Sequence, residues 1–263
     1  NDEIENLRAA QEHLKIVNLG ATAIGTTVTA APGYPELAVK NLAELTGIDF
    51  KNSEDLIAAT SDCGAYMTLS SAIKGLAVKM TKVCNDIRLL ASGPRCGLKE
   101  INLPQLQPGS SIMPGKVNPV AAEVANQASF LAIGLDTTVM LAASAGQLEL
   151  NVMEPVITYA LYTQMKVMTN ACDTLRTKLV EGVTANTERC KDYVMNSIGI
   201  VTLLKPHFGY QKCAAIAKEG YTTGKSLHQI VVDEQHLMTQ AEWDATFNTQ
   251  NLICLLYTSD AAD

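Results

Sequence analysis

The sequence predicts an all-α protein: a central bundle of long helices over residues 1–185, then a small helical C-terminal domain over 186–253. Three observations carry this prediction. Long segments at about 62–91, from Asn118-Pro119 to about Ala142, and at about 152–181 repeat apolar residues at i+3 and i+4, the spacing of one helix face. Nothing alternates apolar with polar residues beyond short ambiguous runs. Aromatics are only 5% of a chain that is 47% hydrophobic, so the core rests on Leu, Val, Ile, Met and Ala, which suits close helix packing.

In chain order, Ile4, Leu7, Leu14 and Val17 lie near a helical stripe, the end of a longer helix. Asn18 to Pro35 is rich in Gly, Thr and Pro and reads as a loop. Its Gly-Ala-Thr-Ala-Ile-Gly-Thr centre suits a tight turn packed beneath a site, with Thr22 and Thr26 structural rather than ligand-contacting. Residues 36–47 and 54–60 read as short helices. From Asp62 to Leu90, Ile73, Leu76, Ala77, Met80, Val83, Cys84, Ile87 and Leu90 form one apolar face, and Ser92-Gly93-Pro94 ends that helix. Residues 95–108 connect to the next. The second long stripe is Val124, Ala128, Leu131, Leu135, Val139 and Ala142; the third is Val156, Leu161, Met165, Met168, Ala171, Leu175 and Leu179. The methionines are core residues at helical spacing. Such long, Ala-rich stripes also suit helices buried on several sides, as in a helical oligomer. Around Gly182 to Arg189 the composition turns polar, which marks the boundary to the second domain.

The most informative stretch runs from Gly109 to Pro119. Gly109 and Gly115 permit positive φ and close approach of a ligand to the main chain. Asn118 followed by Pro119 reads as N-cap and first helical residue, which would aim free N–H groups and a positive dipole end back at the loop. Lys116 adds a full charge. Two hydroxyls (Ser110 and Ser111), an ammonium, a carboxamide and a helix N-terminus converge within eleven residues, a combination suited to a carboxylate-bearing substrate.

Other classes are disfavoured. A net charge of −7 argues against nucleic acid or an anionic membrane as partner. No run reaches the roughly 18 apolar residues needed to span a bilayer. Seven cysteines, scattered and without metal-ligand spacing, read as reduced thiols of a cytoplasmic protein. Gly220-Tyr221-Thr222-Thr223-Gly224-Lys225-Ser226 falls one residue short of a P-loop, and no strand precedes it. His13, His207, His228 and His236 share no metal-like spacing, so no metal site is expected.

The wording of the loop adds more. Gly-Ser-Ser-Ile-Met-Pro-Gly-Lys-Val-Asn-Pro (109–119) resembles the active-site loop of the fumarase/aspartase superfamily. The resemblance continues, in the family's order, through residues 17–26, 59–67, 85–95, 146–157 and 196–202, and covers roughly residues 1 to 253. Gln147, Met153 and Glu154 resemble the aspartase branch; fumarases usually differ around Leu148 and Glu154. The last ten residues, 254–263, leave the pattern abruptly and read as a non-native tail. The family carries about half its chain upstream of the position of Asn1, so the sequence reads as a C-terminal half.

The resemblance implies an aspartase/fumarase-like fold and reversible anti elimination of ammonia from L-aspartate to give fumarate. The expected intermediate is an aci-carboxylate, with no organic cofactor; some members are activated by divalent cations. It implies Ser110 as general base, Ser111, Lys116 and Asn118 as carboxylate-binding residues, and Glu123 as orienting Lys116, with Gly109 and Met113 shaping the loop. It also implies a homotetramer with active sites shared between subunits. The alternatives are a class II fumarase acting on malate by the same loop, and a non-catalytic crystallin-like structural protein. The intact Ser110, Lys116 and Asn118 speak against the latter.

Overall fold

The computed structural model describes residues 2–252, and the 254–263 tail lies outside them. The chain divides after Thr184 into two compact units. In the first, helix α1 (Asp2–His13) precedes a two-residue strand, β1 (Ile16–Val17), and α2 (Tyr34–Thr46) precedes β2 (Lys51–Asn52). The two strands pair in parallel, Ile16 beside Lys51 and Val17 beside Asn52, and so close the 18–50 excursion. Short α3 (Leu56–Ser61) leads into α4 (Gly64–Leu90); α5 (Val120–Ala143) and α6 (Glu154–Lys178) complete the bundle. Between α4 and α5 lies a two-residue strand, β3 (Ile101–Asn102).

The 18–33 excursion is a set of tight turns in which Gly20, Thr22, Gly25, Thr27 and Thr29 all take positive φ. Gly25 lies flat against the α3 backbone, where a Cβ would strike Ile57 and the Leu56 carbonyl, and Gly20 packs on Pro35. Thr22 and Thr26 are exposed. This turn packs on α3 and the start of α2, and it contributes nothing to the lining of the cleft described below.

Ile73, Ala77, Met80 and Cys84 of α4 are buried, as are Ile157, Leu161, Met168 and Ala171 of α6. On α5 the expected stripe holds in part: Val139 and Ala142 are buried, and Ala128 and Leu135 pack against the core. Val124 is 45% and Leu131 49% exposed, while Ala122, Ala125, Ser129, Ala132, Asp136 and Val139 face inward. The helix is apolar around most of its circumference, so periodicity could not choose a face; small residues and hydrogen-bonding partners did. Ser70 and Gln164, both fully buried, anchor α5 there: Ser70 Oγ donates to Asp136 Oδ1 at 2.8 Å, and Gln164, whose Oε1 lies 3.1 Å from Ser70 Oγ, donates from Nε2 to the Ala132 carbonyl at 2.9 Å. Lys74 closes the cluster with Nζ 2.6 Å from Asp136 Oδ2.

Asn151, 3% exposed, fastens the α5–α6 turn. Its Nδ2 donates to the Ala142 and Ala143 carbonyls at 3.1 Å, and its Oδ1 accepts from the Met153 N–H at 2.8 Å, so one side chain ends one helix and begins the next. Nearby, burial raises the Cys63 thiol above its ordinary pKa, helped by the charges of Glu154 and Asp62.

The second unit has its own core, built on Leu204, Ile216, Ile230, Val231 and Trp243. It contains α7 (Thr187–Met195), a 3₁₀ segment (Ile198–Leu204), α8 (Lys205–Thr223), α9 (Gln240–Thr246) and α10 (Thr249–Leu252). Gly209, at φ 72° and ψ 170°, breaks the first turn of α8. The P-loop-like stretch is the end of this helix, where Gly224 takes the left-handed position and its N–H closes on the Gly220 carbonyl. Among the described residues no helix is long and apolar enough to cross a membrane.

Candidate active site

The 109–118 loop closes on itself at its base. Asn118 Nδ2 donates to the Gly109 carbonyl at 2.6 Å, and a Cβ on Gly109 would fall inside the van der Waals shell of the Lys116 carbonyl oxygen. Gly115, at φ 77°, makes the turn between, with the Lys116 N–H reaching the Met113 carbonyl at 3.3 Å. This base corrects the sequence reading of Asn118. The N-cap position is Pro119, whose ψ of 52° is non-helical, and no side chain caps α5. The Asn118 carboxamide instead ties the two ends of the loop together.

At the other end, Ser110 Oγ accepts the backbone N–H groups of Ile112 and Met113, both at 3.1 Å. Two donors trained on one hydroxyl oxygen favour its ionised form, since hydrogen bonds to a charged state lower the cost of reaching it. Ser111, Met113 and Lys116 are exposed, Asn118 is half-buried, and Glu123 lies half-buried in the first turn of α5.

A cleft of about 630 Å³ opens beside the loop. Of the residues singled out in the sequence, Lys116 and Met113 line it; Ser110, Ser111, Asn118 and Glu123 do not. Its remaining wall comes from the last turn of α4, the 91–94 turn and residues 99–103, and it brings Arg88 and Lys99 round the same hollow as Lys116. Sequence reasoning treated Arg88 as the end of a helix and Lys99 as connecting loop. The available signal was four cations, Arg88, Arg95, Lys99 and Lys116, within a 29-residue window reaching into the loop, but linear spacing does not show which of them share a wall. Among the described residues, no three of His, Cys, Asp and Glu are grouped so as to hold a metal ion.

The loop base gives a direct test. Gly109→Ala drives a Cβ into the Lys116 carbonyl and pushes the two ends of the loop apart, and is expected to lower turnover roughly 100-fold, the scale of a 1 Å misplacement of catalytic groups, with little change in unfolding temperature. Steady-state kinetics beside a thermal melt would check both halves; unchanged turnover would mean that the loop does not work in this closed form.

Comparison with known proteins agrees with the helical architecture. The family model described as "Lyase" matches residues 1–134, and that of the "Fumarase C C-terminus" matches residues 200–254. The aspartate ammonia-lyase of Escherichia coli (strain K12) is 56% identical over 252 residues, 96% of this chain and 52% of that protein. Among solved structures, the fumarate lyase:delta crystallin of Brucella melitensis bound to cobalt superposes with a TM-score of 0.89 at 40% identity, over 93% of this chain and 53% of that one. The class II fumarase of Schistosoma mansoni gives 0.86 at 30%, over 94% and 55%. The chain thus spans about half the length of the curated relatives it matches. With the lyase model covering residues 1–134 of 263 and relatives matching this chain over nearly its whole length, the chain belongs to this lyase family, within the fumarase/aspartase superfamily.

Proposed function

We propose that the chain carries the base-bearing part of an aspartate ammonia-lyase, which eliminates ammonia from L-aspartate to give fumarate. The observation that carries the reading is Ser110, whose Oγ receives two backbone N–H groups on a loop that also presents Lys116 to a cationic cleft. Aspartase is favoured over fumarase because the E. coli ammonia-lyase shares 56% of residues, against 30% for the Schistosoma fumarase.

The chemistry follows from the acidity of the proton to be moved. A proton on the carbon beside the leaving carbon is acidic only if the electrons of its C–H bond can flow into the adjacent carboxylate, which becomes a doubly negative aci-carboxylate. Stabilising that charge is as important as removing the proton. Ser110 Oγ, as the alkoxide held by the Ile112 and Met113 N–H groups, takes the proton. Lys116 and Asn118 bind the carboxylate that receives the charge, and Ser111 holds substrate by a hydrogen bond. The intermediate then collapses: the C–N bond breaks, its electrons leave with the amine as ammonia, and the carbon–carbon double bond of fumarate forms. No electrons are gained or lost overall, so the reaction calls for no redox cofactor. Glu123, in the first turn of α5, orients Lys116.

We also propose a homo-oligomer with shared sites. Phe130, Leu131, Met140 and Leu141 on α5 and Tyr159 and Tyr162 on α6 stand 49% to 68% exposed, a broad apolar surface that a lone chain would leave in water. Four such chains around a common helical core would cover it and bring further groups to each loop. Cys63, Cys84, Cys96, Cys172 and Cys213 are free thiols, which supports a reducing, cytoplasmic setting.

The test uses protein expressed from the complete coding sequence, offered L-aspartate and, separately, L-malate, with fumarate followed by ultraviolet absorbance. Fumarate from aspartate alone, from a particle that light scattering sizes as a tetramer, is the expected result. Fumarate from malate alone would transfer the assignment to fumarase, and silence on both from a folded tetramer would refute catalysis by this loop.

A further inference from the structure

We propose that Asn85 and Asn126 are positioning residues, a carboxamide pair across the α4–α5 seam that fixes where α5 begins and so where the serine loop stands. The inference rests on the reading above that this loop is catalytic. Asn126 Nδ2 donates to Asn85 Oδ1 at 2.8 Å, and Arg88 Nη1, one turn further along α4, donates to the same oxygen at 3.3 Å. A guanidinium can only donate, so the Asn85 atom between the two is its oxygen, and Asn126 must offer that oxygen its NH2 group. The Asn126 oxygen therefore points the other way. It is buried, in a residue only 3% exposed, and accepts no hydrogen bond among the described residues.

Such a side chain is a poor way to hold two helices together. A buried acceptor without a donor costs more than one neutral hydrogen bond on the other side of the amide returns. An apolar group of similar volume would give more cohesion. What the carboxamide supplies is direction. Ala122, Ala125 and Ala132, on the inner face of α5, are each 1% exposed or less, and side chains of one methyl form shallow ridges that do little to stop two helices sliding. Two polar ties mark the register instead. The Asp136 cluster reaches Ser70 and Lys74 in the first half of α4, and Asn126, ten residues or about 15 Å nearer the start of α5, reaches Asn85 in the last two turns of α4. A slip of one turn, about 5.4 Å, breaks both. Only the second tie lies near the loop: Asn126 is in the second turn of α5, and the chain entering that helix carries Asn118, whose carboxamide closes the loop base.

The experiment uses protein from the complete coding sequence. Asn126→Val removes the carboxamide at similar volume and strands no partner, because Asn85 is exposed and turns to water. Its urea midpoint is expected to hold or rise. Hydrogen exchange at the Ile112, Met113 and Lys116 amides should nevertheless quicken about tenfold, and kcat for aspartate should fall about tenfold with KM within about threefold. Asn85→Ala, a change at an exposed position, should reproduce both effects. Asn85→Asp keeps an acceptor for both donors and should restore exchange and kcat to within about threefold. Asn85→Ala combined with Asn126→Val should cost no more than either alone, since both break the same bond. A midpoint that falls in step with kcat would reduce the pair to a structural contact, and loop exchange and kcat unchanged in both single variants would equally overturn the proposal, the lyase reading standing in each case. Loop exchange quickened by Asn85→Ala and restored by Asn85→Asp, in a protein that releases no fumarate, would keep the positioning of the loop and remove the lyase.

Discussion

Ser110→Ala is expected to lower fumarate release from L-aspartate by roughly 10³-fold, within the range contributed by a positioned general base, while KM moves less than about threefold. Alanine removes one oxygen and leaves the Ile112 and Met113 N–H groups facing a methyl. Both are in an exposed stretch of loop where water can replace the lost acceptor, so the loop has little reason to collapse. Lys116, Asn118 and the Gly109 tie are untouched, so substrate binding persists and the loss falls on kcat. Ser111→Ala is the informative neighbour. On the proposed roles it would remove a hydrogen bond to substrate and leave the base in place, and is expected to cost about tenfold, mainly in KM. Equal losses for the two serines would sink the assignment of Ser110 as base. Stopped-time assays with a thousandfold excess of variant enzyme over the ordinary assay would resolve the residual rate.

Asp136→Ala is expected to destabilise the first unit by about 2–3 kcal/mol, read as a shift of the urea midpoint at constant slope. The carboxylate accepts from Ser70 at 2.8 Å and Lys74 at 2.6 Å at the point where α4 and α5 meet α6. Ser70 is fully buried, and its single hydroxyl proton cannot be given at once to Asp136 and to Gln164 Oε1, 3.1 Å away. Deleting the carboxylate therefore strands a buried polar cluster rather than one bond. The figure stands below the 3–5 kcal/mol of a fully buried broken pair because the Lys74 side chain remains 40% exposed and can rehydrate. Asp136→Asn keeps an acceptor and should cost about 1 kcal/mol. A loss under 0.5 kcal/mol for the alanine variant would show that the cluster is already hydrated.

The α4 face was legible because its buried residues, Ile73, Ala77, Met80 and Cys84, are apolar at helical spacing and polar residues interrupt the rest of its surface. On α5 the same rule held only in part, for Ala128, Leu135, Val139 and Ala142 but not Val124 and Leu131, and for a physical reason. Asp136 is buried because α4 satisfies its hydrogen bonds, and Ser129 because it bonds back to the Ala125 carbonyl; no pattern within α5 announces the Asp136 partners more than 60 residues away. The serine loop was recognisable from its wording, and the expectation for its chemistry came from its residue types and the family resemblance. Its closure was not: the choice of Asn118 between capping α5 and tying Gly109 depends on where Pro119 lets the helix begin. Arg88 and Lys99 went unnoticed because a shared wall is a property of folding and not of order along the chain.

The inner surface of α5 has a consequence for how this sequence can drift. Ala121, Ala122, Ala125, Ser129 and Ala132 are each 3% exposed or less, so the neighbouring backbones come close and leave no room to grow. Substitution there is filtered by volume: an Ala-to-Ser exchange adds one atom and can bond back to the preceding turn, as Ser129 does to the Ala125 carbonyl at 2.8 Å, whereas Ala-to-Leu must lever two helices apart. The bundle therefore tolerates a change of polarity in its interior better than a change of size, the reverse of the rule by which cores are usually judged.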